Sequence, residues 1–150
     1  MEDSTRQKLR DILQAQLEVY RRMRDLMRSQ REALTLNDSA RLIGLMEEAA
    51  DMKIEAESLQ DRAEPLRQEW ERAREAIPES ERLSLRSLME EIRSTLGEVL
   101  DDMNSLQGEV GKRRDETSEK LRDLGRSVAG RRGYGMPGPA QNPKLLDRDG

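Results

Sequence analysis

The sequence predicts an all-α protein, an elongated antiparallel three-helix bundle or coiled coil with a flexible C-terminal tail. Charged residues make up 39% of the 150 residues and aromatic residues only 2%, which is typical of long helices and unlike sheet-rich domains. Apolar residues recur at spacings of three and four in three successive segments. Polar clusters that suit helix capping separate these segments.

The first helix is expected over about residues 5–35. One apolar stripe runs through Leu9, Ile12, Gln16, Val19, Met23, Leu26, Gln30 and Ala33. A neighbouring stripe runs through Leu13, Leu17, Tyr20, Met27 and Leu34. Two adjacent stripes make a broad apolar face, which suits a bundle better than a narrow two-stranded seam.

The second helix is expected over about residues 38–77, after the polar cluster at 35–39. Its seam follows a strict heptad register through Leu42, Leu45, Ala49, Met52, Ala56, Leu59, Ala63, Leu66, Trp70, Ala73 and Ile77. Pro65 lies inside this register, where a proline costs about 3 kcal/mol. The unbroken register favours a kink at Pro65, and a break near Arg62 is the alternative.

The third helix is expected over about residues 80–128, because Pro78 keeps Ile77 out of helical geometry and Ser80 is a suitable cap. Its stripe runs through Leu85, Leu88, Ile92, Thr95, Val99, Met103, Leu106 and Val110. Residues 111–120 contain no large apolar side chain. If this helix folds back along the second, it overruns it from near residue 119, so its C-terminal part is expected to be weakly ordered.

These segments define a helical bundle over residues 1–129 and a tail over 130–150. The tail contains five of the ten glycines and three of the five prolines, so we expect it to be mostly disordered. Residues 1–36 carry eight bases and six acids, whereas residues 37–79 carry six bases and twelve acids. Opposite net charges favour antiparallel packing of the first two helices. The apolar seams fit a monomer or a homodimer.

Composition excludes many kinds of chemistry. The chain has no His and no Cys, which excludes histidine-based catalytic triads, disulfides and histidine or cysteine metal sites. It has no glycine-rich phosphate loop before a helix. We therefore expect no enzymatic activity, no cofactor and no metal. The net charge of −4 gives no case for nucleic-acid binding, and the lack of a long apolar run predicts a cytoplasmic protein without membrane insertion.

Two basic clusters have alternative interpretations. Arg21, Arg22 and Arg24 are expected to serve solubility and pairing within the helix rather than ligand binding. Lys112 to Arg114 lie in the apolar gap of the third helix, where contact with an acidic partner and a solvated face remain equal alternatives.

Two features indicate binding. Leu106, Val110, Leu121, Leu124 and Val128 form a stripe without an evident partner in the chain, which predicts a partner-binding face, with a homodimer interface or simple core as alternatives. Tyr134 is the one aromatic residue outside the predicted helices, and it lies between two glycines. It suggests a short docking element, the alternative being an incidental exposed residue.

The chain resembles the FlgN family of flagellar type III export chaperones. The resemblance is carried by LMRSQREALTL at residues 26–36, followed by Asn37-Asp38 and a new helix at Ala40-Arg41-Leu42. It continues in IRSTLGEVLDDMNSL at residues 92–106. In the tail it is carried by Tyr134-Gly135, Gly138 and Leu146-Asp147-Arg148.

This resemblance implies a cytoplasmic chaperone for hook–filament junction subunits of the FlgK and FlgL type. The chaperone would bind the C-terminal helices of these subunits through its own C-terminal region, here about Leu106 to Val128. It would prevent premature assembly and deliver the subunits to the cytoplasmic domain of the export gate protein FlhA, with Tyr134 as the docking residue. The alternative is a structural homodimeric coiled-coil scaffold without chaperone activity.

Overall fold

A computed structural model describes residues 1–132, with side chains placed through residue 129. It confirms the all-α prediction, with α1 at Asp3–Thr35, α2 at Ser39–Ala73, a 3-10 turn at Arg74–Ala76 and α3 at Glu79–Arg132. The chain forms two compact units, Met1–Leu106 and a second beginning at Gln107. α3 continues three residues into the segment predicted as tail. The rest of that tail, including Tyr134, lies outside the described residues.

The first helix supplies most of the core. Both predicted stripes of α1 are buried, with Ile12 alone half-buried. The fully buried side chains of α1 include Leu9, Leu13, Gln16 and Val19. Since two stripes cover about half of a helix surface, α1 needs a neighbour on each side, and the other two helices supply them.

The second helix packs antiparallel to α1 through the predicted seam. Every seam position from Leu42 to Ile77 is buried or half-buried. α2 is helical through Pro65, so the alternative of a break near Arg62 is wrong. Proline removes one hydrogen bond to the carbonyl of Asp61, and the seam on both sides of it stabilises the helix against that loss.

The first turn is a C-terminal cap of α1 followed directly by an N-terminal cap of α2. Asn37 adopts a left-handed conformation with φ of 55°. The N–H of Asp38 donates to the carbonyl of Ala33 at 2.9 Å, and the N–H of Asn37 donates to the carbonyl of Leu34 at 3.1 Å, which is a Schellman pair. The Asp38 carboxylate accepts from the N–H of Arg41 at 3.1 Å, so the predicted capping cluster is confirmed.

The turn between α2 and α3 differs from the prediction that Ser80 caps the third helix. Ile77 is extended, with φ of −91° and ψ of 139°, as expected for a residue before proline. α3 begins at Glu79, and the carbonyl of Pro78 accepts from the N–H groups of Glu81 and Arg82. Ser80 therefore lies inside the first turn and is not the cap. Proline already has helical φ and no N–H to satisfy, so the helix starts immediately after it.

The third helix runs parallel to α1 within the first unit. Arg6 pairs with Glu81 at 2.8 Å near one end, and Arg31 pairs with Asp102 at 3.8 Å near the other. Its buried residues are Leu85, Ile92, Thr95, Val99 and Leu106. Burial ends at Leu106 among the residues through 129, earlier than the overrun expected near residue 119. The reason is that α3 follows α1, which ends at Thr35.

Two buried glutamines link α1 to α2. Gln16 Nε2 donates to Gln60 Oε1 at 2.9 Å, and Gln30 Nε2 donates to the carbonyl of Leu45 at 3.2 Å. Both glutamines occupy stripe positions that apolar residues would otherwise fill. A buried amide needs its partner, so these contacts help to set the register of the two helices.

We expect Gly97→Ala to raise the free energy of unfolding by about 0.5–1 kcal/mol, because alanine costs less backbone entropy in a helix. A Cβ added at Gly97 meets no atom within 4 Å, so no clash offsets the gain. Urea unfolding followed by circular dichroism measures the change. Unchanged or reduced stability would contradict the packing described for this part of α3.

Candidate helix-binding surfaces

α2 and α3 leave a groove between them, with α1 as its floor. Two open cavities of about 610 and 670 Å³ make up this α2–α3 groove, and they share Tyr20, Gln60 and Leu96 as lining residues. Each is within the range of volumes at which protein cavities hold ligands. The groove lies entirely in the first unit. A helix placed in this groove would contact residues of all three helices of the first unit.

One half of the groove is apolar. Its floor contains Met23 and Met27, and its walls contain Met46 of α2 and Leu100 and Met103 of α3. The exposed fraction is 56% for Met46 and 50% for Leu100. Large apolar side chains that face solvent side by side in a concave surface are typical of a binding site for another apolar surface. Methionine side chains also adapt to different partners.

Charged side chains line both halves of the groove. Lys53, Glu57 and Asp61 of α2 line the half that contains Met46, and Glu64, Arg67 and Arg93 line the other half. The Nε of Arg67 is buried and has no hydrogen-bond partner among the described residues. Each half of the groove therefore offers both positive and negative charges to an occupant.

Tyr20 lies where the two halves meet. Burial raises the pKa of the Tyr20 phenol from its ordinary value of 10.0, and the nearby positive charge of Arg67 partly offsets the increase. The phenol is therefore neutral at the groove floor at physiological pH. Tyr20 and Trp70 are both buried, which confirms that these two aromatic residues are packed on helix faces.

The predicted binding stripe on α3 divides into two parts. Leu106 is only 8% exposed and packs with Met27 and Leu34. The prediction that Leu106 lacks a partner in the chain is therefore wrong. Leu106 is the last buried residue of α3 among the residues whose burial the structure describes.

The remaining stripe residues lie in the second unit, on residues 107–129, which we call the arm. Val110, Leu121 and Leu124 are 42%, 41% and 61% exposed, and Val128 is half-buried. No residue of the arm is buried. Because the arm is helical, these four side chains share one face. Among the described residues of the second unit, nothing covers this apolar face of the arm.

The arginines of the first basic cluster form ion pairs between helices. Arg21 pairs with Glu91 at 3.2 Å, Arg22 with Glu55 at 3.1 Å and Arg24 with Glu98 at 3.0 Å. The expectation of pairing within α1 is wrong in that detail, since all three partners belong to the flanking helices. These exposed pairs add little stability individually but match α1 to its two neighbours.

The described part of the chain has no group of three or more carboxylates placed to hold a metal ion. Within the same residues, no helix combines the length and the apolar character needed to cross a membrane.

Sequence reasoning missed the groove. Met46 and Leu100 stand outside the predicted seams. Off-seam apolar residues on two different helices were the available signal. These residues can be recognised as parts of one groove only when the arrangement of α2 and α3 around α1 is known.

Comparisons with protein families, with curated proteins and with solved structures found no match to this chain.

We expect Tyr20→Phe to reduce the loss of stability at high pH. Below pH 10 the protonated phenol contributes fully in the folded state, and this contribution is lost as the pH rises through the raised folded-state pKa. Phenylalanine has no phenol to ionise, so its stability should fall less between about pH 9 and pH 11. Urea unfolding at both pH values tests this, and an equal fall in both proteins would contradict it.

Proposed function

We propose that this protein is a cytoplasmic export chaperone that holds amphipathic helices of its client. The observation that carries the proposal is the α2–α3 groove, which leaves methionine and leucine side chains uncovered where a fourth helix would complete the bundle. A helix with an apolar face buries that surface and continues the packing of the three helices already present.

The clients we propose are hook–filament junction subunits of the FlgK and FlgL type, as implied by the FlgN-family resemblance. Their C-terminal helices would pack in the groove and along the arm face of Val110, Leu121, Leu124 and Val128. Covering these helices prevents premature assembly of the subunits. Binding stays reversible because ordering the helices consumes part of the interaction free energy.

Delivery to the export gate is assigned to Tyr134. Tyr134 lies between Gly133 and Gly135 in the sequence, and its ring would enter a pocket on the cytoplasmic domain of FlhA. Client binding and gate docking then use different parts of the chain.

We expect Met46→Asp/Leu100→Asp to weaken binding of a junction subunit by at least about tenfold, because two carboxylates replace apolar contacts that a client helix would bury. Isothermal titration calorimetry with the full chain and the client C-terminal helices measures this. Leu83→Asp is the matched control, since Leu83 is 53% exposed on α3 and does not line the groove.

Leu121→Asp/Leu124→Asp tests the arm in the same titration. A loss with the groove variant alone assigns client binding to the groove, and a loss with both assigns it to both surfaces. If the unaltered chain binds no junction subunit, or if neither variant weakens binding, the proposed function is wrong.

We expect Tyr134→Ala to reduce binding to the cytoplasmic domain of FlhA while client affinity stays unchanged. Tyr134→Phe is the matched control, because it keeps the aromatic ring. Surface plasmon resonance with the client-loaded chaperone measures both. Equal gate binding by Tyr134→Ala and the unaltered chain would remove the docking role.

A further inference from the structure

We propose that Met46 is an oxidation site, at which hydrogen peroxide converts the thioether to a sulfoxide and weakens helix binding in the α2–α3 groove. The effect on a client helix rests on the proposed function, whereas the selective oxidation rests on the structure of the first unit alone. Met46 and the rest of the groove lie within that unit, so the arm plays no part in the argument.

The methionines of the chain are concentrated in the groove. Of the seven methionines in the described residues, the five that line it are Met23, Met27, Met46, Met89 and Met103. The sequence has no cysteine, so methionine supplies the only sulfur atoms that a peroxide can oxidise. The groove therefore holds most of the oxidisable sulfur in the described part of the chain.

Exposure distinguishes Met46 from the other methionines of the groove. Its exposed fraction is 56%, compared with 7% for Met23 and 4% for Met27 on the groove floor. Met89 and Met103 are half-buried. A dissolved peroxide must touch the sulfur atom to react with it, so the susceptibility of a methionine follows its exposure. We therefore expect Met46 to react first.

Packing also separates Met46 from the core. The buried residues form two groups, a larger one that contains Leu9 and a smaller one that contains Leu34. Met103 packs against both groups and Met52 against the larger one, whereas Met46 is exposed and is a member of neither. A sulfoxide at a core methionine disrupts packing. A sulfoxide at Met46 instead changes the groove wall and leaves the bundle folded.

The reaction transfers one oxygen atom. The Met46 sulfur attacks one oxygen of hydrogen peroxide, so that an S–O bond forms and the O–O bond breaks. A proton passes to the departing oxygen, which leaves as water, and the sulfur is oxidised by two electrons. Methionine sulfoxide reductases return the sulfoxide to the thioether, so the modification is reversible.

A sulfoxide at Met46 places a polar oxygen in the apolar half of the groove. Met46 shares this half with Met23, Met27, Leu100 and Met103. The apolar face of a client helix would bury the sulfoxide oxygen without offering it a hydrogen-bond donor, which costs binding free energy. Oxidation of this one residue therefore reduces the affinity of the groove for an apolar helix face.

Peptide mass spectrometry of the full chain after brief peroxide treatment measures the oxidation rate of each methionine. We expect Met46 to react at least about threefold faster than Met103 and Met52, and on the order of tenfold faster than Met23 and Met27, in line with their exposure. Circular dichroism should show an unchanged helix content when Met46 is oxidised. Equal rates at Met46 and Met27, or unfolding in step with Met46 oxidation, would overturn the proposal.

Titration calorimetry with the C-terminal helices of a junction subunit measures the effect on binding. We expect peroxide to weaken binding by the unaltered chain on the order of tenfold, and sulfoxide reductases to restore it. Met46→Leu has no sulfur at this position, so its affinity after peroxide should equal its own affinity before. Met52→Leu is the matched control on the same helix outside the groove, and it should still lose affinity. Equal losses in the two variants would assign the effect to another methionine and overturn the proposal.

Failure of this inference and failure of the proposed function are distinguishable. If the unoxidised chain binds no junction subunit, the proposed function is wrong, and an anilinonaphthalene sulfonate dye then reports the apolar character of the groove. We expect oxidation to reduce the dye fluorescence of the unaltered chain but not that of Met46→Leu, and an equal reduction in both would contradict the inference. A chain that binds the client equally well with the thioether and with the sulfoxide retains the proposed function and loses the inference.

Discussion

The structure depends on the width of the apolar face of α1. Its two stripes cover too much of the helix for one neighbour to bury, so α2 and α3 each bury one side of it. α2 contributes four buried side chains, of which Ala56 and Ala63 are small and Leu59 and Trp70 are large. Interhelix ion pairs then match the arginines of α1 to acids on both neighbours. The α2–α3 groove is the direct result, because two helices on one broad face leave a gap between them.

The length of α1 determines where the burial of α3 ends. α3 packs beside α1 up to Leu106, which contacts the last core residue of α1, Leu34. Beyond this point the apolar pattern of α3 continues at Val110, Leu121 and Leu124, but α1 has ended. A groove with exposed apolar side chains and an exposed apolar helix face therefore occur in the same chain. The proposed client complex uses both surfaces.

The helices were predictable from the sequence because local signals agreed. Heptad spacing, the capping residues around Asp38 and the restriction that Pro78 places on Ile77 all indicate the same boundaries, and the seam of α2 is buried as predicted. Ser80 was misplaced because proline can itself precede the first helical residue. The burial of Leu106 was not predictable, since Leu106 belongs to the same apolar stripe as Val110. Only the position of the end of α1 relative to α3 separates a core residue from an exposed one.

The α2–α3 groove is proposed to bind an amphipathic helix of a client. Methionine-methyl NMR of the full chain tests it directly, because methionines lie both inside and outside the groove. When the C-terminal helices of a junction subunit are added, we expect shifts at Met46 and Met103 and unchanged resonances at Met1 and Met52, which do not line the groove. Binding without any change at Met46 and Met103 would contradict it.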